Sequence, residues 1–322
     1  DKVFDFEKDA IETYIEDGWL KAKGTTLGAD DGIGMAMALA ILDSDDIEHG
    51  NIECLFTVDE ETGLSGAEAL KPDFLNSRIL INLDSEDEGE LFIGCAGGKD
   101  TMGKIPYELE PSPEGKAYKI SVFGGKGGHS GDDINKGLAN ANKVLNRILW
   151  TLNDALVYAL ASFEGGNLRN AIAREANAVV VVDDEDAKEM IEMVKKYNED
   201  IRFEFRSTEP NLGVKIEEVE RPKEVIDPMT QEDLLNVLYA IPHGVLSMSR
   251  EIPNFVETST NLASVKMVDN CFVIATSQRS SIETAKEAAC DRNEACLRLV
   301  GADVTHGDGY PGWVPNPQSK IL

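Results

Sequence analysis

Three short acidic stretches carry side chains able to act together: Asp30 in "GADDG", the adjacent pair Glu60–Glu61 in "VDEETG", and Asp84 in "NLDSEDEG". Carboxylates gathered at one point repel, so they must share a proton or bind a cation. Zinc takes carboxylate oxygen at about 2.0–2.2 Å. Two zinc ions about 3.5–4 Å apart need a bridging ligand, which an Asp can supply. A neighbouring pair such as Glu60 and Glu61 offers a division of labour, one carboxylate on the metal and the other handling a proton. Taken singly, each acid has an ordinary reading as well. An Asp before a helix is an N-cap, a Glu pair in a loop is solvated surface, and an acidic run ending in Gly is a polar turn.

The elements that would position these acids can be read around them. Gly32–Asp43, rich in Ala, Met and Leu, predicts a helix capped by Asp30 or Asp31. Asn51–Val58 and Ile79–Leu83 predict strands, with a short helix near Glu68 that ends at Pro72. Helix alternating with strand predicts an α/β layer with a largely parallel sheet, in which ligands collect outside the carboxyl ends of strands. The texture changes after Gly94–Gly98. Strands are predicted at Tyr118–Phe123, Ala178–Val182 and Asp303–His306. Helices are predicted at Ile134–Leu152, Glu185–Tyr197, Asp233–Tyr239 and Ser281–Val300. Leu262–Ser277 reads as a hairpin turning at Asp269–Asn270, and Gly124–Gly131 as a flexible loop. This reads as a second α/β domain with room for a doubled motif, though the internal repeat is not clear in its sequence.

Composition excludes several function classes. With 322 residues the chain is long enough for about two domains. Its formal net charge of -28 repels phosphate backbones and anionic membranes, so neither nucleic acid nor membrane is an expected partner. Five cysteines, an odd number without a CxxC pair, argue against a disulfide framework or a cysteine-zinc site. They read as buried free thiols in a reducing compartment, and the expected location is the cytoplasm. No apolar run approaches the length of a bilayer span, and the start lacks a signal-peptide pattern. "GGKGGHSG" is no P-loop, because no Gly-Lys-Ser/Thr closes it. "DSDDIEHGNIE" is no EF-hand loop, because its sixth position is not Gly.

Longer motifs add a resemblance. "TTLGADDGIGMAMALA", "TVDEETGLSGAEAL", "INLDSEDEGELFIGCAGG", "GGKGGHSGDDINKGLANANK", "GGNLRNAIARE" and "GYPGWVPNP" occur in order along the whole chain. They resemble the aminoacyl-histidine (Xaa-His, or cytosolic non-specific) dipeptidases, of the two-zinc exopeptidase family that also holds carnosinases and aminoacylases. The resemblance implies an α/β fold: a three-layer zinc-exopeptidase catalytic domain, incomplete here, over residues 1–98 and 311–322. An α+β lid and dimerisation domain would be inserted at 99–310. It implies two Zn2+, with Co2+ or Mn2+ as substitutes. Asp30 would bridge the ions, Glu61 and Asp84 would be terminal ligands, and Glu60 would be the general base. A cis peptide between Asp30 and Asp31 is also implied. His129, Asn170 and Arg279 would bind a dipeptide substrate, Arg279 suiting its terminal carboxylate through two parallel hydrogen bonds. Without the resemblance, His129 reads as a loop histidine and Arg279 as half of a surface ion pair. His49, His243 and His306 fall in no ligand motif and read as structural or surface residues. A homodimer is the implied assembly.

The chain departs from the family pattern in two places. The family carries a His-x-Asp motif upstream of the Asp30 motif, yet no His precedes His49 here. A last zinc-binding His expected near the C-terminus is not found before Leu322 either. The expectation is a fragment of an ordinary dipeptidase, ahead of a natural truncation or recruitment of His49 or His306. A site of carboxylates alone should hold zinc more weakly, so this polypeptide by itself is expected to be poorly active. The rival readings are an amidohydrolase of N-acyl amino acids and a non-catalytic dimerisation module.

Overall fold

The computed structural model describes residues 4–60, 64–85, 89–319 and 321. The chain divides into two compact units, residues 1–91 with 318–322, and residues 92–317.

The first unit opens with a hairpin of β1 (Thr13–Glu16) and β2 (Trp19–Ala22), paired antiparallel around Asp17–Gly18. Both turn residues have positive φ, 52° and 84°, which matches the twist of a two-residue hairpin. Helix α1 (Gly32–Asp43) follows, with Asp31 as N-cap: its side chain accepts from the N–H of Gly34 at 3.0 Å. Helix α2 spans Ser65–Glu68. The Glu53 carboxylate ties in a later turn. It accepts from the backbone N–H groups of Asn76 and Ser77 and from the Ser77 hydroxyl, bonds that pull its pKa down to about 2.

Two predicted strands of this unit are not formed. Asn51–Val58 and Ile79–Leu83 join no ladder among the described residues, and every ladder that is described runs antiparallel. An apolar run becomes a strand only when a neighbour takes its N–H and C=O groups. Here Leu80 is 76% exposed, so the hydrophobicity that signalled a buried strand lies in the open.

The second unit carries a nine-stranded antiparallel sheet. Its strands are β3 (Gly97–Pro106), β5 (Lys116–Phe123), β6 (Tyr158–Gly165), β7 (Ala176–Val182), β8 (Gly213–Val219), β10 (Gly244–Met248), β11 (Val256–Val268), β12 (Cys271–Ser280) and β13 (Asp303–His306). Short strands β4 (Leu109–Pro111) and β9 (Glu224–Ile226) form a separate pair. The helices are α3 (Ala141–Ala155), α4 (Ala187–Glu204), α5 (Pro228–Ala240) and α6 (Glu283–Leu299). The strand order is β13-β3-β12-β11-β6-β7-β5-β8, with β10 added to β11.

That order contains one motif twice. The run β5-α3-β6-β7-α4-β8 is a βαββαβ unit with strands ordered second, third, first, fourth. The run β3-α5-β11-β12-α6-β13 has the same order, and the first copy is inserted between its β3 and α5. The copies meet where β6 pairs with β11, at Gly165 and Val265.

Helix α3 buries Val144, Leu145, Ile148, Leu149 and Leu152 at helical spacing, and the last four are fully covered. It starts seven residues later than Ile134, the predicted start. Asn140 caps it by accepting from the N–H groups of Asn142 and Lys143, and residues 131–137 are taken by turns. The β11–β12 hairpin turns at Asp269–Asn270 as read, with φ of 50° and 56°. Of the thiols only Cys290 is buried. Cys95 is exposed, so the expectation of uniformly buried cysteines is corrected. No described helix is long and apolar enough to cross a membrane.

Candidate active site

In the first unit the acids are set by three turns. Asp30 and Asp31 immediately precede α1 and are joined by a cis peptide, as the resemblance implied. The turn carrying Glu60 is closed onto α2: Ser65 Oγ donates to Asp59 Oδ2 at 2.8 Å, and the Leu64 N–H donates to the carbonyls of Asp59 and Glu60. Asp84 follows Leu83, whose Cβ sits against the first turn of α1 at Gly34.

The electrostatics of Asp84 report what surrounds it. Partial burial, then the charge of Asp30 and a hydrogen bond with its side chain, then the charges of Glu60 and Asp31, hold its carboxyl above the usual carboxylate range. The residue as a whole is exposed, so the informative part is which acids lie close enough to act on it. Asp30, Glu60 and Asp31 thus lie close enough to act on the carboxyl of Asp84. Glu61, the remaining candidate ligand, lies outside the described residues. Such a set of anionic oxygens suits a divalent cation in its carboxylate part. Among the described residues no group of three or more His, Cys, Asp or Glu is arranged so that it could hold a metal ion.

The second unit gathers the other candidates. The loop after β5 is fixed to the loop between β6 and β7: the Ser130 N–H donates to the Asn170 carbonyl at 2.8 Å, and the Ile172 N–H to the Gly128 carbonyl at 2.8 Å. Buried Asn261 holds the same second loop by donating to the Ala171 carbonyl at 2.9 Å. The Asn170 side chain is left exposed. Arg279, near the end of β12, reaches this loop. Its Nε donates to Ser130 Oγ at 3.3 Å, its Nη1 to the Tyr310 hydroxyl at 3.0 Å, and its Nη2 lies 3.4 Å from His129 Nε2. His129 Nδ1 lies 3.0 Å from Asp132 Oδ2. The Asp132 backbone N–H also donates to Nδ1, at 3.3 Å, so Asp132 holds one ring nitrogen while the other faces the guanidinium. Among the described residues Arg279 pairs with no carboxylate, so it is not the surface ion pair that its residue type suggested.

The other histidines serve the framework. His306 bridges Thr101 Oγ1 and Glu294 Oε2, at 3.0 and 2.8 Å. His243 Nδ1 lies within reach of the Asn140 amide and the Leu262 N–H. His49 contacts the Gly50 carbonyl at 2.7 Å in an exposed turn. Sequence reasoning missed Ser130, Asp132 and Tyr310 as members of the second-unit cluster. The first two flank His129 closely enough to have been considered, whereas Tyr310 had only its motif as a signal.

Comparison with known proteins decides the family. Aligned from end to end, the chain is 40% identical to the cytosol non-specific dipeptidase of Escherichia coli, covering 100% of this chain and 67% of that protein. The chain belongs to this dipeptidase family. The crystal structure of the aminoacylhistidine dipeptidase from Vibrio alginolyticus superposes with a TM-score of 0.83 at 39% identity, covering 100% of this chain and 66% of that one. The chain thus spans about two thirds of the length of the dipeptidases it matches. Peptidase T of Escherichia coli is 43% identical over 70 residues, 21% of this chain and 17% of that protein. Residues 115–209, which hold β5, α3, β6, β7 and α4 of the first βαββαβ copy, match the peptidase dimerisation domain. The dipeptidase relatives are by name peptide-bond hydrolases, and the mixed α/β fold is that of the family.

Proposed function

We propose that the protein hydrolyses dipeptides, with two zinc ions held in part by Asp30, Glu61 and Asp84. The observation that carries this reading is the alignment of the whole chain with dipeptidases, supported by Asp30 and Glu60 acting on the carboxyl of Asp84. Zinc, when bound, would polarise the scissile carbonyl and make water a stronger nucleophile near neutral pH. Glu60 takes a proton from the attacking water as its oxygen bonds to the carbonyl carbon. It then delivers that proton to the amine nitrogen as the carbon–nitrogen bond breaks. Arg279 pairs with the dipeptide's terminal carboxylate, while His129 and Asn170 orient the peptide and stabilise the tetrahedral oxyanion. The names of the relatives support Xaa-His dipeptides as the first substrates to assay. The dimerisation-domain match supports a homodimer, and the cytosolic relative supports the same compartment.

The test pairs metal binding with turnover. Calorimetry with zinc should show binding that D30N and D84N each weaken at least tenfold, roughly the worth of one charged ligand contact. E60Q should retain that binding and lose about 10²–10⁴-fold in the hydrolysis of Xaa-His dipeptides. Undiminished turnover in E60Q would remove Glu60 as base. Cleavage of N-acyl amino acids in place of dipeptides would reassign the substrate.

A further inference from the structure

Two motifs, "GCAGG" and "GYPGW", have no part in the reaction proposed above, yet the fold interlocks them. Gly98 on β3 pairs with Arg279 of β12 on one side. On its other side it pairs with Tyr310, the Tyr310 N–H donating to the Gly98 carbonyl at 2.8 Å and the Gly98 N–H to the Tyr310 carbonyl at 3.1 Å. Tyr310 and Arg279 thus flank one glycine across three adjacent backbones. A Cβ on Gly98 would meet the Tyr310 ring at 2.7–2.8 Å, so only the bare glycine leaves a lane in which the phenol reaches the guanidinium. Gly97 is as tight, its Cβ position 2.4 Å from the Gly312 nitrogen. Lys286, 2% exposed, adds a clamp: Nζ donates to the Tyr310 carbonyl at 2.7 Å.

The result is a guanidinium contacted from three directions by a hydroxyl, a phenol and an imidazole. Of the five N–H groups of Arg279, one each goes to Ser130, Tyr310 and His129. One donor on each terminal nitrogen remains, and a guanidinium binds a carboxylate through two parallel bonds. Anchors bearing carboxylates would have neutralised the charge and competed for those donors. A phenol and a hydroxyl fix the aim and leave the charge available.

We propose that Tyr310 is a positioning residue, seated by Gly97, Gly98 and Lys286, that aims Arg279 at the terminal carboxylate of the bound dipeptide. This rests on the reading of Arg279 given under the proposed function. It predicts selectivity for a free carboxylate over its amide, and it makes the phenol hydroxyl necessary for that selectivity.

The experiment measures binding of an Xaa-His dipeptide and of its C-terminal amide to the zinc-loaded protein, in an E60Q background where neither is consumed. The parent should prefer the free carboxylate. Y310F keeps the ring on Gly98 and should bind the dipeptide about tenfold more weakly, the worth of one hydrogen bond to a charged group. Its affinity for the amide and its melting temperature should not change, which a merely structural role would not produce. Undiminished preference in Y310F overturns the proposal and leaves the role of Arg279 standing. A parent without preference removes the carboxylate role of Arg279, and the proposal falls with it. Should Y310F melt early, the Arg279 Nε–H resonance of the parent decides: a slowly exchanging signal supports the proposal, and one averaged by free rotation overturns it.

Discussion

At the scale of single residues, the acid site depends on a side chain that is missing. A Cβ on Gly34 would lie 2.0 Å from Asp31 Oδ2 and 2.9 Å from Leu83 Cβ, on the residues next to Asp30 and Asp84. G34A should therefore push the two acidic turns apart and lower zinc affinity about tenfold, the loss of roughly one charged contact. G32A is the control, since nothing lies within 4 Å of its Cβ position. Equal zinc titrations for the two variants would mean that α1 does not set the spacing of the acids. The acids stand out in the sequence through the local motifs that carry the family resemblance, since taken singly each reads as a cap, a turn or solvated surface. Gly34 reads as one more small residue in a helix, since its constraint comes from Leu83, nearly fifty positions on. Tyr310 is illegible for the same reason, as its aim depends on β3 and β12 lying side by side.

At the scale of elements, short-range signals read well and long-range ones did not. The Asp269–Asn270 turn was legible because both residues tolerate positive φ. Helix α3 was placed seven residues early because its apolar period extends back to Ile134, while Asn140 decides the start by hydrogen bonding. Asn140 also leads to His243. The imidazole Nδ1 faces two N–H donors, the Asn140 amide and the Leu262 backbone, so it must be unprotonated to accept. Burial, then the charge of Lys143, push His243 down to about 4 from the ordinary 6.5. Between those values the unfolded chain holds the proton and the folded one does not. Stability contributed here is complete above pH 6.5 and lost as pH falls toward 4. The gap corresponds to roughly 3 kcal/mol. Urea unfolding at pH 7.5 and pH 4 should show H243Q losing less on acidification than the parent by about that amount, carboxylate effects being common to both. Equal losses would mean that His243 protonates freely in place.

At the scale of the whole molecule, the doubling of the βαββαβ unit is only hinted at in the sequence because one copy is inserted inside the other. Pro106, ending β3, and Pro228, opening α5, are separated by an entire copy, so no repeat of fixed period is present to detect. The net charge of -28 acts at this scale as well. Spread over 59 acids against 31 bases, it disfavours any compact state by self-repulsion, which salt screens within about 10 Å at 0.1 M. The melting temperature should therefore rise between 0.05 and 0.5 M NaCl. Zinc should do more than screen. A cation that binds only the folded chain stabilises it by RT ln(1 + [L]/Kd), about 2.7 kcal/mol at a hundredfold excess over Kd. Millimolar zinc at fixed ionic strength should thus lift the melting temperature beyond the sodium effect, and D84N should abolish that excess while keeping the response to NaCl. If D84N kept the excess, zinc would be binding diffusely among the surface acids, and the action of Asp30 and Glu60 on Asp84 would reflect crowding on an acidic chain, not a site.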